Sequence, residues 1–393
     1  MKKYILFLLI FLLGILYKLP VYAEKTDENR ILDLSAESAI LMEASTGKVI
    51  YEKEADVKKP PASVTKIMTL LLIFEDLDKG KIKLEDNVTV SDYAASMGGS
   101  QVFLEKGESQ TVDTLIKCIA IASANDGCVA MAEFLEGSEA AFVERMNKKA
   151  EELGMENTHF VNCCGLDAEG HLTTARDIGI MSRELTTKYP YIFNYSSIWM
   201  DEFTHKTAKG ESVFGLSNTN KLIKNYNGCN GLKTGSTSKA KFCLSATATR
   251  NNISFIAVVM GCPDSKKRMV DVSSMLDFGF SNVSVYEDKN PLGAWNQTDI
   301  RGGEKNSLAI HCADSYRYIM LKSEKGKDVK KNVRILTELK APVKKDEIIG
   351  EIDYQIDGKV IGSIPIYASE TIKEKTYLFS IKSLWEEMMP GNS

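Results

Sequence analysis

The 393-residue sequence has only four histidines, and its eight cysteines form neither a CxxC pair nor a zinc-ligand spacing. A histidine-built metal centre is therefore unexpected. No run after residue 23 is long and apolar enough to span a membrane. There is no basic block: 49 Lys and Arg face 53 Asp and Glu, for a net charge of −4, which argues against a nucleic-acid partner. The common hydrolase and nucleotide signatures are missing too, with no G-x-S-x-G elbow, no H-E-x-x-H and no P-loop. No histidine sits in a context that suggests a serine–histidine triad. With 44% hydrophobic and 26% charged residues, the composition is that of an ordered globular chain. Its length suits roughly two or three domains of about 150 residues.

The start of the chain reads as an export signal. Lys2 and Lys3 precede an apolar run from Tyr4 to Tyr17, and Val21-Tyr22-Ala23 supplies small residues for cleavage. The run is shorter than the about 20 residues of a spanning helix. Removing residues 1–23 leaves 46 basic against 53 acidic residues, a charge of −7. The mature protein is expected from Glu24, outside the cytoplasm. An even cysteine count there permits disulfides, but a core of this size needs none, and no pairing is expected.

Apolar residues on both sides of Ser45-Thr46-Gly47 predict a hairpin over 39–52. After Pro60-Pro61, residues Ile67, Leu70, Leu71, Phe74 and Leu77 predict an amphipathic helix. Further helices are expected over 113–122, 139–153 and 265–278, with glycine-containing loops between and after the first two. Strands are expected over 242–248 and 253–260, joined at Arg250-Asn251-Asn252. The pattern implies an α/β (α+β) fold in which helices cover a mixed sheet. From residue 283 to about 372 the texture becomes β-rich. Strands are expected over 343–349, 351–356 and 359–366, with a hairpin turn at Asp357-Gly358. The organisation expected is a leader, 1–23; a catalytic domain, 24–282; a β-rich domain, 283–372; and a C-terminal helical segment, 373–393. In that segment Leu378, Ile381, Trp385 and Met388 recur at helical spacing, which suits a membrane surface or a protein partner.

One catalytic route remains, a serine activated by lysine. Ser-x-x-Lys puts hydroxyl and amine on one helical face, and a neutral lysine can take the serine proton. The pattern occurs four times, as Ser45–Lys48, Ser63–Lys66, Ser236–Lys239 and Ser238–Lys241. Only Ser63–Lys66 stands at the mouth of a strong helix, where a backbone N–H is free for an oxyanion. Taken alone, that motif favours the plainer reading, Ser63 as a helix cap. Two further elements shift the balance: Ser123-Ala124-Asn125, the single Ser-x-Asn, and Lys233-Thr234-Gly235, the single Lys-Thr-Gly.

These three motifs and their surroundings resemble the low-molecular-weight penicillin-binding proteins, the serine D-alanyl-D-alanine carboxypeptidases of peptidase family S11. The supporting text is 40–47 through 61–69, Gly165-Leu166-Asp167, Thr173 to Asp177 and Gly231 to Gly235, with 339–343 and 365–368 resembling the family's β-rich second domain. Gram-positive, sporulation-type members look nearest. The resemblance implies a β-lactamase/transpeptidase-like catalytic domain with an antiparallel sheet, followed by a small all-β domain. It implies Ser63 as nucleophile, Lys66 as base and Ser123 as proton carrier. Asn125, Lys233, Thr234, Gly235, Ser236 and Arg268 are implied as substrate-binding residues. The implied substrate is a peptidoglycan stem peptide ending in D-Ala-D-Ala, β-lactams are acylating mimics, and no metal or organic cofactor is needed. A serine β-lactamase and a non-catalytic penicillin-binding protein are the alternatives; the Glu-x-x-Leu-Asn motif of the former is absent. Cys163-Cys164 and Ser236 depart from the usual family pattern, and His171 is expected to order its loop.

Overall fold

The computed structural model describes residues 32–388 apart from 313–314, 325 and 336–337. The expected leader, residues 1–23, lies outside the described residues, as does Met389. A five-stranded antiparallel sheet organises the larger part of the molecule. Its strands are β1 (Ser38–Glu43), β2 (Val49–Lys53), β5 (Cys229–Thr237), β6 (Lys241–Arg250) and β7 (Ile253–Cys262), in the order β2-β1-β7-β6-β5. Both faces of this sheet are covered. On β7, Ile256, Val258 and Met260 join one core, while Phe255, Ala257 and Val259 join the other. Such a strand reads as an unbroken apolar run rather than an alternation. The β6–β7 turn places Asn251 and Asn252 at φ of 49° and 60°, the left-handed geometry that matches strand twist in a tight hairpin.

Helices α1 (Lys66–Asp78), α2 (Val112–Ala122), α3 (Asn125–Glu136), α4 (Glu139–Glu152) and α5 (Ala175–Lys188) build the first core, and α6 (Ser265–Asn282) covers the opposite face. Contrary to the amphipathic expectation, α1 is buried on every side from Lys66 to Asp76. Its two interior acids make this tolerable, since Arg145 donates to both Asp76 oxygens at 2.5 and 2.8 Å and Lys149 donates to Glu75 at 3.0 Å. Helices α3 and α5, and the hairpin of β3 (Met200–Thr207) and β4 (Gly210–Ser217), occupy stretches expected as loops. The glycines inside both helices are packing devices. A Cβ on Gly127 would sit 3.4 Å from Ala124 and Ile119, and one on Gly179 would sit 3.3 Å from Met42, so each lets a helix approach its neighbour closely.

Helix α6 leads directly into β8 (Val283–Asp288), which pairs with β11 (Tyr316–Leu321). Val283 and Ile319 of this ribbon belong to the core beneath α6. A second five-stranded antiparallel sheet follows, in the order β9-β10-β14-β13-β12. It comprises β9 (Gln297–Asp299), β10 (Ser307–Cys312), β12 (Lys330–Ile335), β13 (Ile348–Ile356) and β14 (Lys359–Ala368), over its own core. The strand expected over 343–349 is not one: Val343 makes only an isolated bridge to Ile372, and Asp346 turns the chain at a φ of 65° before β13 starts at Ile348. Helix α7 (Tyr377–Met388) ends the described chain. Among the described residues, no helix is long and apolar enough to cross a membrane.

Candidate active site

Ser63 lies in a single 3-10 turn, Ala62–Thr65, that runs into α1. The turn begins under strain, with Ala62 at a φ of 49°. Ser63 caps nothing: the helical turn has no side-chain capping bond. Lys66 is fully buried, and its Nζ donates to Ser63 Oγ at 3.0 Å, to Asn125 Oδ1 at 2.6 Å and to the Cys164 carbonyl at 2.6 Å. Three acceptors use all three ammonium protons. In the neutral amine, the two shorter bonds would leave the lone pair facing the serine hydroxyl.

The second motif closes the far side of this amine. Ser123 ends α2 in the left-handed region at a φ of 64°, with its backbone N–H bonded to Cys118 O. Its hydroxyl is buried and has no hydrogen-bond partner among the described residues. Such a group costs about 1–3 kcal/mol when left desolvated and marks a place where a ligand or water can bond. Asn125 opens α3, and its amide nitrogen donates to Gly98 O at 2.7 Å, fixing which carboxamide atom faces Lys66. Next to it, the buried Asp126 accepts from the N–H groups of Val102 and Leu104 and so ties the 98–104 loop to the site. Burial raises the Asp126 pKa, against the pull of those backbone bonds.

The third motif lies on β5 itself. Lys233, Thr234 and Gly235 pair with Ser245, Leu244 and Cys243 of β6. Lys233 is buried, and burial foremost, then the positive charge of Lys66, lowers its pKa well below the ordinary lysine value. Gly235 abuts the serine turn: a Cβ there would lie 2.9 Å from Pro61 O and from the backbone nitrogens of Ser63 and Val64. Ser236, the next residue, is exposed and pairs with Phe242. Arg268 is not a solvated surface arginine. It is 6% exposed and donates from Nη1 to the carbonyls of Gly235 and Cys243, both at 3.1 Å, while its buried Nε has no partner among the described residues. Burial lowers its pKa.

Several positions around the site were not singled out as site residues in the sequence. The Cys164 carbonyl is one of the three Lys66 partners, and the Cys163 carbonyl accepts from Thr69 Oγ1 at 2.6 Å. Gly165, at a φ of 87°, lies so close to the serine turn that a Cβ would fall 1.9 Å from Ala62 O. Asn162 Oδ1 gathers the N–H groups of Gly165 and Leu166 at 2.7 and 3.1 Å. Thr219 accepts from Thr234 Oγ1 at 2.6 Å. His171 takes Val161 N–H on Nδ1 at 2.9 Å, so Nε2 carries the ring proton and donates to Thr65 Oγ1 at 2.8 Å, which in turn donates to Ala62 O. Burial, with a smaller contribution from the charge of His159, lowers the His171 pKa to about 4. Backbone acceptors and packing glycines carry no motif, although Gly165 belongs to the quoted Gly-Leu-Asp text.

Comparisons with known proteins place the chain in a family. The family model described as D-alanyl-D-alanine carboxypeptidase, peptidase S11, matches residues 23–264, and that of the penicillin-binding protein 5 C-terminal domain matches 280–374. The chain is 43% identical over 388 residues to the D-alanyl-D-alanine carboxypeptidase DacF of Bacillus subtilis, covering 97% of each. It is 35% identical over 365 residues to DacA of Escherichia coli, covering 88% of this chain and 86% of that one. Penicillin-binding protein 5 of Haemophilus influenzae superposes with a TM-score of 0.75 at 30% identity, over 87% of this chain and 99% of that one. With three separated motifs gathered at one buried amine and these relatives along nearly its full length, the chain belongs to the S11 family of serine-type D-alanyl-D-alanine carboxypeptidases.

Proposed function

We propose that the protein removes the terminal D-alanine from peptidoglycan stem peptides through an acyl-enzyme on Ser63. The observation that carries this reading is the position of Lys66 Nζ, 3.0 Å from Ser63 Oγ and held by Asn125 and Cys164 O. Ser63 Oγ attacks the carbonyl carbon of the penultimate D-alanine as its proton passes to Lys66. The backbone N–H groups of Ser63 and Ser236 bond the oxyanion. The carbon–nitrogen bond then breaks, and the leaving amine takes its proton through Ser123 or Lys66. Water hydrolyses the ester, returning the proton to the serine. Asn125 bonds the substrate amide. Lys233 supplies positive potential for the C-terminal carboxylate, Thr234 turns its hydroxyl proton from Thr219 to bond it, and Gly235 lets the substrate backbone lie along β5. Arg268 acts at one remove, holding the Gly235 and Cys243 carbonyls. β-Lactams imitate the same D-alanyl-D-alanine end and acylate Ser63.

The catalytic part is taken as 24–282 and the β-rich part as 283–372; separate cores support that division, although Val283 and Ile319 stitch the two together. The protein is exported, and α7 lies on the outer face of the cytoplasmic membrane. Tyr377, Leu378 and Trp385 support this, being 82%, 78% and 66% exposed.

Release of D-alanine from a diacetyl-Lys-D-Ala-D-Ala peptide, measured beside nitrocefin turnover, tests the reading. Peptide hydrolysis that outpaces nitrocefin hydrolysis is expected, and rapid nitrocefin turnover without D-alanine release would replace it with a β-lactamase.

A further inference from the structure

Glu139, Cys163 and Cys164 converge beside the Lys66 pocket. One carboxylate oxygen and the two sulfurs lie within 4.8 Å of one another. Both thiols are buried, whereas Glu139 opens α4 half-buried, below the exposed ring of Tyr93. The carboxylate is held in place over the sulfurs: one oxygen accepts from Cys163 N–H at 3.0 Å and the other from the Tyr93 hydroxyl at 2.6 Å.

We propose that this cluster binds a thiophilic divalent cation of the Zn²⁺ class, and that occupancy slows acylation of Ser63. Two sulfurs and one carboxylate select a soft or borderline metal over Ca²⁺ or Mg²⁺. Zinc bonds of about 2.3 Å to sulfur and about 2.0–2.2 Å to oxygen need only a modest contraction of the present triangle, with water as fourth ligand on the Tyr93 side. Two S–H bonds break, two S–Zn bonds form and two protons pass to the buffer, so no oxidant is involved.

The coupling runs through the backbone of the two cysteines. The Cys164 carbonyl holds Lys66 Nζ and the Cys163 carbonyl holds Thr69 Oγ1. Drawing the two sulfurs toward one ion moves the peptide groups that orient the amine. This second clause rests on the proposed function, whereas the binding clause does not.

The test uses the full mature chain, reduced and stripped by a chelator, then titrated with Co²⁺. A near-ultraviolet thiolate-to-cobalt band that saturates at one ion per chain and is displaced by Zn²⁺ is expected. The Cys163→Ala/Cys164→Ala double variant should lose the band. Glu139→Gln, an isosteric change whose amide oxygen can still accept from Cys163 N–H, should raise the titration midpoint by about tenfold or more. Absence of the band, its survival in the double variant, or an unchanged midpoint in Glu139→Gln would overturn the site. Zn²⁺ should slow labelling by a fluorescent penicillin in the parent protein and not in Glu139→Gln, with the chelator restoring the rate. Equal labelling with and without bound Zn²⁺ would overturn the coupling. Failure of the metal-free parent to label at all would instead count against the proposed function.

Discussion

Lys66 Nζ sits 3.0 Å from Ser63 Oγ while Asn125 Oδ1 grips the same nitrogen at 2.6 Å. The asparagine, itself anchored on Gly98 O, therefore sets where the amine points. Asn125→Ala should leave the fold intact and slow penicillin acylation about 10²-fold, the scale of a small misplacement of a catalytic group. Acylation kinetics with a fluorescent penicillin check this, and a rate within about twofold of the parent would show that Cys164 O suffices to orient the lysine.

Ser123 offers a separation of stability from activity. Its hydroxyl is buried without a partner among the described residues, so Ser123→Ala removes a desolvated polar group and breaks no hydrogen bond among them. Thermal unfolding should be unchanged or slightly raised. Turnover of a D-alanyl-D-alanine peptide should fall by about 10²–10⁴-fold if the hydroxyl carries protons. A drop in melting temperature with normal turnover would assign Ser123 a structural role.

Gly235 marks the closest approach of β5 to the serine turn. In Gly235→Ala, the new methyl group meets Ser63 N and Val64 N at 2.9 Å and must push strand and turn apart. A stability loss of about 1–3 kcal/mol is expected from such overpacking, together with loss of acylation. Denaturant melts and penicillin labelling measure both, and unchanged labelling would mean that the gap tolerates a side chain.

His171 gives the fold an acid sensitivity of known sign. Its folded pKa of about 4 lies below the ordinary 6.5, because the ring is buried. The unfolded chain binds the proton first, so stability is intact above pH 6.5 and is lost progressively as the pH falls toward 4. The full effect is on the order of 3 kcal/mol. His171→Gln should flatten that part of the stability curve in urea melts between pH 7 and 4. The same slope in parent and variant would place the acid sensitivity elsewhere.

Much of this architecture is legible in the residues. The hairpins at 45–47, 250–252 and 357–358 announce themselves through turn chemistry, and β6 and β7 through apolar runs. What misled was glycine inside helices: Gly127 and Gly179 read as loop signals but serve close packing of α3 and α5. The hydrophobic period of α1 gave its helicity but not its burial, because Lys79 and Lys81 nearby supply only part of the neutralisation of Glu75 and Asp76, and Arg145 and Lys149 of α4 supply the rest from far along the chain. At the site, the side-chain motifs were visible as Ser63, Lys66, Ser123, Asn125 and Lys233. The Cys164 carbonyl was not, since every residue has a carbonyl and only the fold decides which one meets an amine. Arg268 was implied by the family resemblance alone, and its burial against β5 became evident only once α6 was laid on the sheet.

Mass spectrometry of the penicillin-treated mature protein tests the central claim most directly. One adduct of the antibiotic's mass, mapped to Ser63 and lost in both Ser63→Ala and Lys66→Ala, is the predicted result. An adduct on another residue, or undiminished labelling of the Lys66→Ala protein, would contradict the lysine-activated serine.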